Sequence, residues 1–248
     1  MEFTYKSYCR LLDKLELNNY TFSSYHNWKE HNKCVILRHD IDYEPRKALE
    51  MALLEQERGV SSTFFILVTS DFYNAFSARN SVIIRSILKC GHEIGLHFDE
   101  VRYKGITVGE IRKKIINEAS LLEQIIEQPV KTVSMHRPSK AMLESNLFIP
   151  GIVNSYGNDY YRGFKYLSDS RRHWREPVEE IIESGQYDRL HILTHAFWYG
   201  EEEISIHDAV KGFVNHANLE RYNTISDNIS FVESIMTEEE VLYEDHNH

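Results

Sequence analysis

The chain lacks any apolar run long enough to cross a membrane, although 42% of its 248 residues are hydrophobic. Its first residues also lack the basic-then-apolar order of a secretory signal peptide. There is no excess of positive charge, since the formal net charge is −10, and this argues against nucleic acid or an anionic membrane as a partner. The three cysteines are an odd number without paired spacing, which indicates reduced thiols. Together these features predict a cytoplasmic protein without a transmembrane segment.

Short apolar runs rich in β-forming residues alternate with helical patterns along the chain, which predicts a parallel α/β sheet or barrel. One helix is predicted from Pro45 to Gly59. Thr107 and Glu110 have the spacing of a capping box that opens another. A chain of this length fits one large barrel domain. We therefore predict a single domain, with an N-terminal packing segment at 1–30, a motif-bearing barrel at 31–200 and C-terminal helices at 201–248.

Two aspartates follow a short buried strand near the start of the barrel. Asp40 and Asp42 are separated by Ile41, and alternate residues of an extended segment point the same way. Two carboxylates this close resist joint ionisation unless a cation or a shared proton relieves them. The pair suits a metal ligand beside a general base. Taken alone, it equally suits an acidic strand end that caps the helix beginning at Pro45.

Three further strand ends carry side chains that can bind metal or transfer protons. His97 ends the segment that begins at Gly91, His136 and Arg137 follow another apolar run, and His195 ends a third. A parallel α/β barrel builds its active site in this way, from the carboxyl ends of several strands. Four such ends in succession favour an active site over an acidic helix cap.

These motifs resemble the polysaccharide deacetylases, carbohydrate esterases of family four related to chitooligosaccharide deacetylase. The resemblance runs from about Cys34 to Trp198, and the segment Gly91–His97 is its most specific match. It implies an α/β fold of the distorted (β/α) barrel type. It also implies a role for each motif residue: Asp40 as catalytic base, Asp42 and His97 as metal ligands, Arg137 as the residue that orients the base, Asp169 and Trp174 as the fourth motif, and His195 as catalytic acid.

The chain departs from the family pattern at one metal ligand. The second histidine of the pattern should lie four residues after His97, where this sequence has Val101. Asp99 and His136 are the candidate replacements. We favour His136, because one carboxylate and two imidazoles are a familiar catalytic zinc set, whereas Asp99 would give a harder, oxygen-rich site.

The resemblance implies a metal-dependent N-deacetylase that uses a divalent metal, with Zn²⁺ expected. The absence of a signal peptide suggests as substrate an acylated amino sugar on a nucleotide or lipid carrier, a precursor in surface polysaccharide biosynthesis. Two alternatives stay open on the same fold: a non-catalytic carbohydrate-binding relic, and a metal-independent amidase.

Overall fold

The sheet of this protein is built from parallel strands, as seen in a computed structural model that describes residues 1–242. The strands are β1 (Thr21–Ser23), β2 (Cys34–Ile41), β3 (Thr63–Ile66), β4 (Glu93–Phe98), β5 (Thr132–Met135), β6 (Val153–Asn154), β7 (Lys165–Ser168) and β8 (Arg189–Thr194). Their order is β6-β5-β4-β3-β2-β8-β7, with β1 paired to β2. Seven of them curl into a half-barrel, so the predicted α/β barrel class is confirmed. The barrel is open between β6 and β7, where the sheet ends.

The chain contains eight α-helices among residues 1–242, six of which lie between strands. They are α1 (Tyr5–Leu17), α2 (Pro45–Glu57), α3 (Ala78–Lys89), α4 (Val108–Ile126), α5 (Lys140–Glu144), α6 (Asn158–Tyr161), α7 (Val178–Ser184) and α8 (Ile206–Ser226). The predicted capping box is present: the Thr107 hydroxyl accepts from the Glu110 backbone N–H, and the Glu110 carboxylate accepts from the Thr107 backbone N–H. The helix predicted from Pro45 begins there, with the proline in its first turn.

The central strand β2 packs different residues on its two faces. Val35 and Leu37 belong to the large core that lies between the sheet and the helices. Cys34 and Ile36 belong to a smaller cluster that also contains Phe65 of β3. Because side chains alternate along a strand, the even-numbered side chains of β2 point into the half-barrel. All eight residues of β2 are buried, which is typical of a central parallel strand.

Gly95 allows β3 and β4 to approach each other inside the half-barrel. The two strands pair with Gly95 opposite Phe65. A Cβ atom at Gly95 would lie 2.5 Å from Cε1 of Phe65 and 3.0 Å from the backbone oxygen of Thr132. Only glycine therefore fits here, two residues before His97.

The chain divides into two compact units, Met1–Glu201 and a second that begins at Glu202. The second unit contains α8, whose start is capped by the Ser205 hydroxyl accepting from the Asp208 backbone N–H. No helix among residues 1–242 is both long and apolar enough to span a membrane. The assignment of the whole chain to one domain stays a prediction, and residues 243–248 of the predicted C-terminal segment lie outside the described part.

Candidate metal centre and active site

Three of the predicted site residues converge at the carboxyl edge of the sheet. Oδ1 of Asp42 lies 3.2 Å from Nε2 of His97 and 3.0 Å from Nδ1 of His136. The two imidazole nitrogens are 3.1 Å apart. Ligand atoms of a tetrahedral ion with bonds of about 2.0–2.1 Å lie roughly 3.3 Å from one another, so the three atoms have the spacing of a metal site.

The Asp42 carboxylate has the features of a metal ligand. Its Oδ1 atom is buried, and among the described residues it has no hydrogen bond of acceptable geometry despite its two close imidazoles. A buried carboxylate oxygen without a hydrogen-bond partner needs an explanation, and a bound cation is one. Burial raises the pKa of Asp42, but His136 and His97 outweigh it and hold this pKa well below its usual range. The donor set of one carboxylate and two imidazoles fits zinc.

The choice between His136 and Asp99 follows from where each strand ends. β4 ends at Phe98, and the Asp99 carboxylate turns back to accept from the Val101 backbone N–H at 3.1 Å. Asp99 also forms an ion pair with Arg137, away from the cluster. His136, by contrast, extends the alternation of β5, and its backbone N–H donates to the Phe98 carbonyl at 2.9 Å. The structure thus brings His136, and not Asp99, to Asp42.

Arg38, rather than Arg137, holds Asp40. The fully buried Arg38 guanidinium donates from Nε and Nη2 to the two oxygens of Asp40, at 3.2 and 2.7 Å. It is stacked near the rings of Phe65 and Tyr156, at 5.3 and 5.1 Å from their centroids. Burial raises the pKa of Asp40, but Arg38, together with His97 and His195, outweighs it, so this pKa is lowered and the carboxyl is ionised at neutral pH.

The predicted orienting role of Arg137 therefore needs correction, because the Arg137 side chain is 58% exposed and pairs with Asp99. The resemblance placed that role after β5, whereas this chain supplies the guanidinium from β2 itself. A signal for it was present in the sequence. Arg38 lies two residues before Asp40, and the alternation that puts Asp40 and Asp42 on one face applies equally to Arg38.

His195 and the fully buried Asp169 form a dyad next to the cluster. Nδ1 of His195 lies 2.6 Å from Oδ1 of Asp169, and the His195 backbone N–H donates to the same carboxylate. Asp169 thereby keeps the proton on Nδ1 and leaves Nε2 directed at Asp42, 3.8 Å from its Oδ2 atom. Burial opposes the charge on His195, but Asp169 and then Asp42 and Asp40 outweigh it and raise its pKa to about 9. The contribution of Asp42 is lost when a cation neutralises that carboxylate.

A second buried polar network lies on the helix-facing side of β2, and sequence reasoning missed it. Nδ1 of His39 is 2.6 Å from the Thr194 hydroxyl, and Nε2 is 3.0 Å from Oε1 of Glu55 in α2. The fully buried Glu55 also accepts from the hydroxyls of Ser62, at 2.5 Å, and Tyr8. His39 and Thr194 immediately precede Asp40 and His195. The network therefore ties together the two strand ends that carry the proposed base and acid.

Several solved structures are similar to this chain. A family 4 acetyl xylan esterase from Clostridium thermocellum, in complex with a cobalt ion, is 18% identical over 65% of this chain and 73% of its own, with a TM-score of 0.42. The Xyl-CE4 domain of a multidomain xylanase from the hindgut metagenome of Trinervitermes trinervoides is 16% identical over 78% of this chain and 85% of its own, with a TM-score of 0.44.

A third similar structure is BA3943 from Bacillus anthracis, a CE4 family pseudoenzyme. It is 15% identical over 76% of this chain and 62% of its own, with a TM-score of 0.44. No protein-family model matches the chain, and no curated protein matches it.

Proposed function

We propose that this protein is a divergent polysaccharide deacetylase, a metal-dependent hydrolase that removes an N-acetyl group from an amino sugar. The observation that carries the proposal is the convergence of Asp42, His97 and His136. The base Asp40 lies on one side of this triad and the acid His195 on the other. Oδ2 of Asp40 lies 3.7 Å from Nε2 of His97, and Nε2 of His195 lies 3.8 Å from Oδ2 of Asp42. A metal-binding triad between a carboxylate and an imidazole suits amide hydrolysis.

Each residue has a defined task in this reaction. A divalent cation bound by Asp42, His97 and His136 would polarise the acyl carbonyl and acidify a water molecule. Asp40, kept ionised by Arg38, takes the proton from the water that attacks the carbonyl carbon. His195 donates the proton on Nε2 to the departing nitrogen, so that the amide C–N bond breaks to give acetate and a free amine. Asp169 holds the imidazole in the orientation that this transfer needs.

The carrier of the sugar and the location of the protein are further parts of the proposal. We place the enzyme in the cytoplasm and its substrate on a nucleotide or a lipid, as a precursor in surface polysaccharide biosynthesis. The three free thiols, Cys9, Cys34 and Cys90, are in keeping with a reducing compartment. The net charge of −10 disfavours binding to anionic wall polymers.

Metal content tests the ligand set. Protein purified without chelator is expected to contain about one divalent ion per chain. The His136→Ala variant should lose it, whereas the matched Asp99→Ala variant should keep it, because Asp99 pairs with Arg137 outside the triad. Elemental analysis of the two variants and the wild type decides the matter. Equal metal content in wild type and His136→Ala would contradict the assignment.

Amine release tests the reaction. Acetylated nucleotide sugars, free acetamido sugars and chitin oligomers are incubated with the metal-loaded protein, and the released amine is quantified. Asp40→Asn and His195→Gln should each lower turnover by about 10²–10⁴-fold while the bound metal stays. A protein that binds metal but releases no amine from any acylated sugar is a carbohydrate-binding relic, and that result would overturn the proposal.

A further inference from the structure

A cavity of about 470 Å³ lies beside the metal ligand His136, where the half-barrel is open. Its walls come from both edges of the sheet. Tyr156 follows β6, and Tyr166 belongs to β7. Trp174, from the loop after β7, completes the aromatic lining. In a complete barrel, further strands would fill the gap between β6 and β7. Here that gap contains a cavity that reaches the metal ligand His136.

The walls of this cavity are amphipathic. Three aromatic rings provide flat apolar surface, while Ser168, Arg175 and Glu176 provide hydrogen-bonding groups. The indole N–H of Trp174 is buried, and no residue of the described chain accepts a hydrogen bond from it. Pockets that bind one small molecule have mostly apolar walls with a few polar groups and volumes of about 300–1,000 Å³. This cavity has such a volume, and its walls are somewhat more polar than apolar. A sugar ring matches it, because its C–H faces pack on aromatic rings while its hydroxyls need polar partners.

We propose that this cavity holds one acylated amino-sugar ring, so that the protein acts on a free or terminal sugar unit and not on the interior of a polymer. The inference rests on the proposed function and adds the substrate class to it. A polymer interior needs a groove that is open at both ends. Here side chains from both sheet edges, Tyr156 and Tyr166, line the space next to His136. The reacting acyl group would then lie at the mouth, towards the metal ligands, with the ring inside.

Affinity as a function of chain length tests the inference. The Asp40→Asn variant, which should bind without turnover, is titrated calorimetrically with free acetamido hexoses of gluco and galacto configuration. It is then titrated with the β-1,4-linked dimer and tetramer of the gluco form. We expect the tetramer to bind within about threefold of the monomer, because one ring fills the cavity. Affinity that rises about tenfold or more from monomer to tetramer, or no binding of either free hexose, overturns the inference.

Matched tyrosine variants locate the binding site. In the same background, Tyr166→Ala should weaken monomer binding by roughly tenfold. Tyr161→Ala should not change it, since Tyr161 is 49% exposed and outside the cavity. Trp174→Phe is the second probe if Tyr166→Ala does not fold, and it should weaken binding by roughly threefold through loss of the indole N–H. Unchanged affinity in the folded cavity variants would place the sugar elsewhere.

Failure of this inference is distinguishable from failure of the proposed function. Ring binding is measured in a protein that does not turn over, whereas the proposed function is measured by amine release from the metal-loaded wild type. Turnover of polymers together with length-dependent binding would overturn only the cavity assignment. Single-ring binding without amine release would overturn only the hydrolase.

Discussion

Replacement of Arg38 should abolish activity, and replacement of Arg137 should not. The Arg38 guanidinium makes two hydrogen bonds to Asp40, and both side chains are at most 5% exposed. In Arg38→Met the carboxylate loses its buried partner, which destabilises a protein by about 3–5 kcal/mol if the charge remains. Without Arg38, only His97 and His195 among the named charges still oppose the effect of burial, so the pKa of Asp40 should rise and the carboxyl should bind a proton. A protonated Asp40 cannot act as a base, so turnover at neutral pH should fall by about 10²–10⁴-fold.

Two controls separate this prediction from a general effect of removing an arginine. Arg137→Met removes an ion pair whose arginine is 58% exposed, and such pairs contribute about 0–1 kcal/mol, so turnover should fall by less than about threefold. Arg38→Lys keeps the charge but loses the paired geometry, and its turnover should lie between those of the wild type and Arg38→Met. The assay is kcat on a substrate that the wild type turns over, with urea unfolding and metal analysis of each variant. A loss in Arg137→Met as large as that in Arg38→Met, in folded and metal-loaded protein, would refute the reasoning.

Two further predictions concern stability. Burial raises the pKa of Glu55, but His39, His92 and the Ser62 hydroxyl together outweigh it, so this pKa is lowered. The stabilisation from Glu55 is present above about pH 4.5 and is lost as the pH falls through the lowered value. Glu55→Gln should thus cost about 2–4 kcal/mol at pH 7 and less at pH 3–4 in urea unfolding, and an equal cost at both pH values would contradict it. Gly95→Ala should destabilise the protein by about 1–3 kcal/mol through the clash with Phe65. Gly109→Ala in α4 should not, because its Cβ atom would lie 3.9 Å from the Thr107 hydroxyl, an ordinary contact. Equal effects of the two substitutions would argue against the clash.

Much of the site could be predicted because it obeys the alternation of strands. Asp40 and Asp42 lie two residues apart on one face, and the same rule brings His97 and His136 inside from β4 and β5. These positions depend only on where each strand ends and on the strands being parallel neighbours. Both conditions could be inferred from the apolar runs and from the polar and glycine residues that bound them.

Other features depended on contacts between distant parts of the chain. Asp99 is kept from the metal cluster because β4 ends at Phe98 and because Arg137, just after β5, pairs with it. The role of Arg38 was obscured because the family pattern assigns it elsewhere. The pairing of His39 with Glu55 joins a strand to a helix sixteen positions away, and no local periodicity specifies such a pair.

Each face of β2 carries a buried polar network, and the outer network helps to fix the position of the inner one. On the inner face, Arg38 and Asp40 are joined by two hydrogen bonds. On the outer face, His39 links Glu55 to Thr194, one residue before His195. Since the strand is continuous, a slip of β2 by one residue would move Asp40 to the opposite face, away from the Asp42 triad. The helix-facing network is thus placed to maintain the register between β2 and β8, on which the separation of the proposed base and acid depends.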